Sequence, residues 1–133
     1  MITKYRFYNI KLNKIYEVVA IDFLNEQVEC ILPEMNEDIA NWDFNVGALM
    51  QSTGLKDING KEIFEGDILK VFVLGDEGAI AKVIFKNGMF GIEDDMHGYG
   101  YDKGLYSLHQ ILSLRDAEIL GNKFEHPHLL GED

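Results

Sequence analysis

Apolar residues fall in short runs between turn signals, and the runs are rich in Ile, Val, Phe and Tyr. That pattern predicts strands more than helices. Lys4 to Tyr8 and Ile15 to Asp22 read as two strands, joined by Asn9 to Lys14 with two turn-prone asparagines. Ile15, Val18, Val19, Ile21 and Phe23 are too continuous for clean alternation, which predicts a strand buried in part on both faces. Gln27 to Leu32 returns as a third strand, with Val28, Cys30 and Leu32 on one face, and Pro33 ends it. Glu34 to Asn45 reads as one helical turn or as a loop that delivers Ile39, Trp42 and Phe44 to an apolar surface.

The texture changes near Asn45 to Gly47, and the expected division is 1–46 for an N-terminal β subdomain and 47–133 for a second subdomain packed on it as one unit. Ala48 to Gln51 opens the second part as a strand. Asn59-Gly60 is a strong turn signal, since both residues tolerate positive φ, and Gly54 and Gly66 add turn points. Asp67 opens a strand from Ile68 to Leu74, with Leu69, Val71 and Val73 on one face. Ala79 to Lys86 and Met89 to Ile92 follow, turned at Asn87-Gly88. These closely spaced hairpins predict a meander that curls into a small barrel. Glu93 to Gly104 reads as a surface loop, Leu105 to Leu114 as a short amphipathic helix, and Ala117 to Leu120 as a closing strand.

Charge changes the picture. Among the 133 residues, 23 Asp and Glu against 12 Lys and Arg give a net charge of −11. Lys4, Arg6, Lys11 and Lys14 hold the first bases, and no other appears until Lys56. Between them lie Glu17, Asp22, Glu26, Glu29, Glu34, Glu37, Asp38 and Asp43. Such a field repels phosphate backbones, so direct nucleic-acid binding is not expected, while a basic partner or a cation is favoured. The same acids would also serve simply to keep a small protein soluble.

The lone cysteine, Cys30, argues against a disulfide-built secreted domain. The N-terminal residues lack the apolar core of a signal peptide, and no apolar run approaches the ~20 residues needed to span a bilayer. The expected setting is the cytoplasm, with no membrane association.

Met50 to Val71 resembles the central signature of the YopX family, small proteins encoded in bacteriophages and prophages. The residues that carry the likeness are Leu49-Met50-Gln51, Thr53-Gly54-Leu55-Lys56-Asp57, Asn59-Gly60 and Ile63-Phe64-Glu65-Gly66-Asp67-Ile68. The tail is similar too, through Ile119-Leu120-Gly121-Asn122, Glu125, Pro127 and Leu129-Leu130, as is the opening Lys4-Tyr5-Arg6-Phe7 with Ile21-Asp22-Phe23. Ser52 and Phe64 depart from it, each standing where the family more often has tyrosine. The resemblance implies an all-β fold with an SH3-like barrel in the second part, and no transferable activity, catalytic residue or cofactor.

Candidate chemistry is sparse. Glu65 and Asp67 flank Gly66 and could form an acid/base pair, but a turn glycine followed by an aspartate that bonds local amides is the better reading. Asp57-Ile58-Asn59-Gly60 echoes the start of a calcium loop yet lacks its further ligands and closing glutamate. Glu93, Asp94, Asp95 and His97 gather oxygen and nitrogen ligands, without the spacing of a closed metal site. Asp94, Asp95 and His97 are nonetheless the weak metal candidates, and a small metal-dependent hydrolase would use them. His126 and His128 flank Pro127 and would point apart in an extended tail. Cys30 sits in an apolar alternation, where free cysteine packs. No cofactor site is expected.

The residues read as structurally indispensable are Gly54, Asp57, Asn59, Gly60, Gly66 and Asp67. Tyr99, Tyr101 and Tyr106 are the candidates for an exposed recognition surface. The function expected is that of a non-enzymatic protein-binding or accessory module, whose partner is a host or phage protein. Pairing edges left by the N-terminal strands would also allow a homo-oligomer. The alternative is an acidic nucleic-acid mimic that inhibits a host DNA-binding protein or nuclease, which requires the carboxylates from Glu17 to Asp43 to line one surface.

Overall fold

The computed structural model describes residues 3–72, 78–93 and 105–131. The chain is mainly β and forms two compact units, Met1–Ser52 and Thr53–Asp133. Among the described residues there is one α-helix, and no helix is long and apolar enough to cross a membrane.

The first unit is an antiparallel meander of β1 (Tyr5–Asn9), β2 (Lys14–Asp22), β3 (Gln27–Leu32) and β4 (Asp38–Asp43), with β5 (Gly47–Lys56) added beside β1. Strand order is β4-β3-β2-β1-β5. Phe7 lies opposite both Tyr16 and Leu49, and Val28 lies opposite both Ile21 and Trp42. Cross-strand partners share a face, so these rows build one apolar side. Phe7, Tyr16, Val28 and Cys30 are its buried centre, with Val18, Ile21, Leu32, Trp42, Phe44 and Leu49 packed against them. The Trp42 ring meets Tyr16 edge-on at 5.1 Å and Phe7 at 6.1 Å, distances at which aromatic pairs attract.

Two expectations for this unit are corrected. The continuous apolar run in β2 does not mark burial on both faces. The β2–β3 register shifts between Val18 and Ala20, a bulge that leaves Val19 47% exposed. Residues 38–43 form β4 instead of a helical turn or loop. Its outward residues Ile39, Asn41 and Asp43 are exposed while Ala40 and Trp42 are half-buried, so the pattern is weak in sequence and pairing with β3 decides it.

In the second unit β5 continues and pairs with β6 (Glu62–Phe64). There follow β7 (Asp67–Val71), β8 (Ala79–Lys86), β9 (Met89–Glu93), β10 (Leu105–Ser107), α1 (Leu108–Leu114) and β11 (Ala117–Asn122), with a last 3-10 turn at Pro127–Leu130. Strand order is β10-β9-β8-β7-β11. Leu69 faces Ala81, Val83 faces Ile92 and Val71 faces Ala117, and these residues with Ile63 and Leu108 are the buried core.

The meander is as expected, but its sheet is not closed into a barrel: among the described residues β10 and β11 are its two open edges. The chain between those edges is helical, and it covers the core with Leu108, Ile111 and Leu112 in place of a strand pairing. The helix starts later than the Leu105 expected from spacing. Ser107 caps it by accepting the Gln110 amide at 3.4 Å, and Leu105 to Ser107 pair with β9.

Candidate interaction surface

The signature residues of the second unit build a tightly hydrogen-bonded corner. Asp57 is 7% exposed. Its Oδ1 accepts the amides of Asn59 and Lys61, each at 2.9 Å, and its Oδ2 accepts that of Ile119 at 3.0 Å. Burial alone would raise its pKa. The three amide bonds, helped by the Lys61 charge, outweigh that and hold the carboxyl below the usual range. Ile58 donates its amide to the Ala117 carbonyl at 2.8 Å, so backbone and side chain together tie this turn to β11.

Gly60 adopts φ 80° in that turn, while Asn59 keeps negative φ. Gly54, at φ 76°, lies between two contacts of Thr53, whose Oγ1 donates to the Ile63 carbonyl and accepts the Leu55 amide. Gly66, at φ 89°, donates its amide to Val83 and accepts that of Lys123. Asp67 is 1% exposed and its Oδ2 accepts the Phe64 amide at 2.8 Å. A carboxylate engaged in this way is occupied by the backbone, which favours the turn reading over an acid/base pair with Glu65. Thr53 and Asn122 do comparable work, although they were not among the residues read from sequence as structurally indispensable. Asn122 Oδ1 accepts the amides of Phe124 and Glu125, the short-range bonding open to any Asn before a turn.

Candidate chemistry fares less well. Asp94, Asp95, His97, Tyr99 and Tyr101 lie outside the described residues. Glu93 ends β9 with an oxygen 3.9 Å from the Lys82 ammonium. Among the described residues no three His, Cys, Asp or Glu side chains come together as a metal site. Tyr106 is 51% exposed on β10. His126 and His128 do not point apart: Pro127 starts a 3-10 turn that brings their rings to 6.1 Å, edge to face. Cys30 is fully buried, and burial pushes its thiol up to about 11, which leaves it protonated and a poor nucleophile near neutral pH.

The acids of the first unit divide between the outer sheet face and the turns. In register, Asp22, Gln27 and Asp43 form one row and Ala20, Glu29 and Asn41 the next row on the same side. Between them lies the row of Ile21, Val28 and Trp42, which points to the core. Glu17, opposite Arg6, continues the outer face beyond the bulge. Glu17, Asp22, Glu29 and Asp43 are all exposed. Glu26, Glu34 and Glu37 sit in turns, and Asp38 is paired with Leu32 at the start of β4. Half of the acidic stretch therefore lines one surface. Glu34 is occupied elsewhere: it accepts the Tyr16 hydroxyl at 2.8 Å and lies 3.3 Å from the Lys14 ammonium. Burial, followed by that bond and the Glu34 charge, pushes Tyr16 up to about 12.

At the end of this face, the β2–β3 turn presents Phe23 at 69% and Leu24 at 91% exposure. Sequence reasoning assigned Phe23 to a buried run and passed over Leu24. Their position beside the Asn25-Glu26 turn was the signal that they stand outside the sheet.

These features define a small, mainly β protein of two compact units, with a hydrogen-bonded corner in one and an acidic open face in the other. A family model described as YopX protein matches residues 4–131, and the chain belongs to the YopX family. The crystal structure of protein EF1440 from Enterococcus faecalis is similar over 98% of this chain and 99% of that one, with TM-score 0.63 and 26% identity. The crystal structure of YopX from Bacillus subtilis is similar in fold, with TM-score 0.65 and 18% identity over 97% and 98% of the two chains. No curated protein matches the chain in sequence.

Proposed function

We propose that the chain is a non-enzymatic binding module that works by protein–protein contact through the outer face of β2, β3 and β4. The observation that carries this is the placement of Glu17, Asp22, Glu29 and Asp43 on one exposed face, in a stretch with no lysine or arginine between Lys14 and Lys56. Such a face attracts and orients a basic partner. Family membership supports an accessory protein of phage or prophage origin, acting in a bacterial cytoplasm.

The test is retention of proteins from Enterococcus faecalis and Bacillus subtilis lysates on the immobilised chain, beside a Glu17→Gln, Glu29→Gln, Asp43→Asn variant. A protein held at low salt by the parent and released by the variant is the expected result. Equal retention by both, or none by either, would sink the reading.

A second reading is mimicry of a nucleic acid, favoured by the spread of carboxylates over three strands. It requires that duplex DNA displace the retained protein; a retained protein indifferent to DNA leaves only the general binding role.

A further inference from the structure

We propose that the β2–β3 turn is an anchor, which inserts Phe23 and Leu24 into an apolar pocket rimmed by lysine and arginine on a partner protein. This rests on the binding-module reading and adds the anchor and the chemistry of the pocket that receives it.

The turn is built to hold these side chains outward. Asp22 Oδ1 accepts the Asn25 amide at 3.0 Å and its Oδ2 accepts the Asn25 side-chain amide at 2.7 Å. Phe44 donates its amide to the Glu26 carbonyl at 2.8 Å, and its ring meets Phe23 edge-on at 6.4 Å. β1 pairs with β2 only as far as Arg6 and Glu17, whereas β2 and β3 pair on to Asp22 and Gln27, and β3 and β4 to Gln27 and Asp43. The tip is thus the end of three strands, fixed before any partner arrives. A pre-ordered apolar anchor loses little freedom on binding, which is how a few residues come to dominate an interface.

Charge selects the occupant. Asp22, Glu26 and Asp43 surround the tip, and all three are exposed. A second copy docked tip to tip would bring like carboxylates together, and an anionic bilayer would repel them. A protein pocket with an apolar floor and a cationic rim meets both the rings and the carboxylates.

The experiment places a photo-crosslinking phenylalanine derivative at position 24 of the full chain, in the same two lysates. Affinity of the purified crosslinked protein is then measured for the parent, Leu24→Asp, Phe23→Ser and Ile10→Asp. Ile10 is 62% exposed at the opposite end of β2 and serves as the control. Thermal melts confirm that each variant folds. Crosslinks should fall beside lysine or arginine, and Leu24→Asp and Phe23→Ser should each weaken binding about tenfold or more, with Ile10→Asp unchanged. Crosslinks only to another copy of the chain, or an affinity untouched by Leu24→Asp, would overturn the anchor. In the latter case binding itself survives, whereas loss of every retained protein removes both readings.

Discussion

The carboxylate of Asp57 holds the amide of Ile119, 62 residues further along the chain, at 3.0 Å. The same side chain closes its own turn through Asn59 and Lys61. One buried group thereby fixes a local turn and the seating of β11, and local sequence could announce only the turn.

Asp57→Ala leaves three backbone amides without their acceptor. A buried donor without its acceptor costs about 1–3 kcal/mol; Asn59 and Lys61 are exposed and Ile119 is half-buried, so the variant should lose about 2 kcal/mol of stability. Chemical denaturation followed by fluorescence checks this; a loss below about 1 kcal/mol would show that water or rearrangement satisfies the amides.

Acid sensitivity should trace to the same residue. The folded pKa of Asp57 lies below its ordinary value, so its stabilisation is present above the unfolded pKa of about 3.9 and is lost as pH falls through the folded one. Denaturation midpoints measured from neutral pH down through that range should fall for the parent. Asp57→Asn should be less stable at neutral pH and should show a shallower fall, while parallel curves would assign the acid transition to other carboxyls.

Two glycines are required for different reasons. Gly66 has φ 89°, so Gly66→Ala should cost about 1 kcal/mol or more through backbone strain. Gly47 is not in that region, but a Cβ there would run into the Tyr8 carbonyl and lie 2.7 Å from the Phe7 ring. Backbone cannot yield as a side chain does, so Gly47→Ala should destabilise the first unit by about 3 kcal/mol or more, a core-disrupting change. Thermal melts order the two, and a Gly47→Ala variant as stable as the parent would refute the clash.

Cys30 should resist thiol reagents while the chain is folded. Its burial and raised pKa predict no modification at neutral pH in native buffer and complete reaction in denaturant. Rapid native labelling would place the thiol at a surface.

Much of the architecture was legible because turn chemistry is local. Asn87 and Gly88 both take positive φ, as a tight hairpin demands, and β8 and β9 fall on either side. β4 was hidden because Asp38, Ile39, Asn41 and Asp43 present an exposed edge whose strand character comes from β3. The open second sheet was hidden for a similar reason: Leu105 to Leu114 has helical spacing throughout, and only the pairing of its first three residues with β9 reveals a strand. For the interaction surface, charge composition gave the acidic stretch but not its division. The sheet register decides that Glu29 and Asp43 share a face, whereas Glu34 turns to Tyr16. Phe23 and Leu24 read as core because apolar residues next to a strand are ordinarily buried, and only their place beside the Asn25-Glu26 turn marked them as surface.

The most direct measurement is amide hydrogen exchange of the full chain, alone and saturated with the protein it retains. Slowed exchange across residues 17–43, greatest at the β2–β3 turn, with the second unit unchanged, is the predicted result. Protection confined to residues 53–131 would place the binding surface elsewhere and contradict the account.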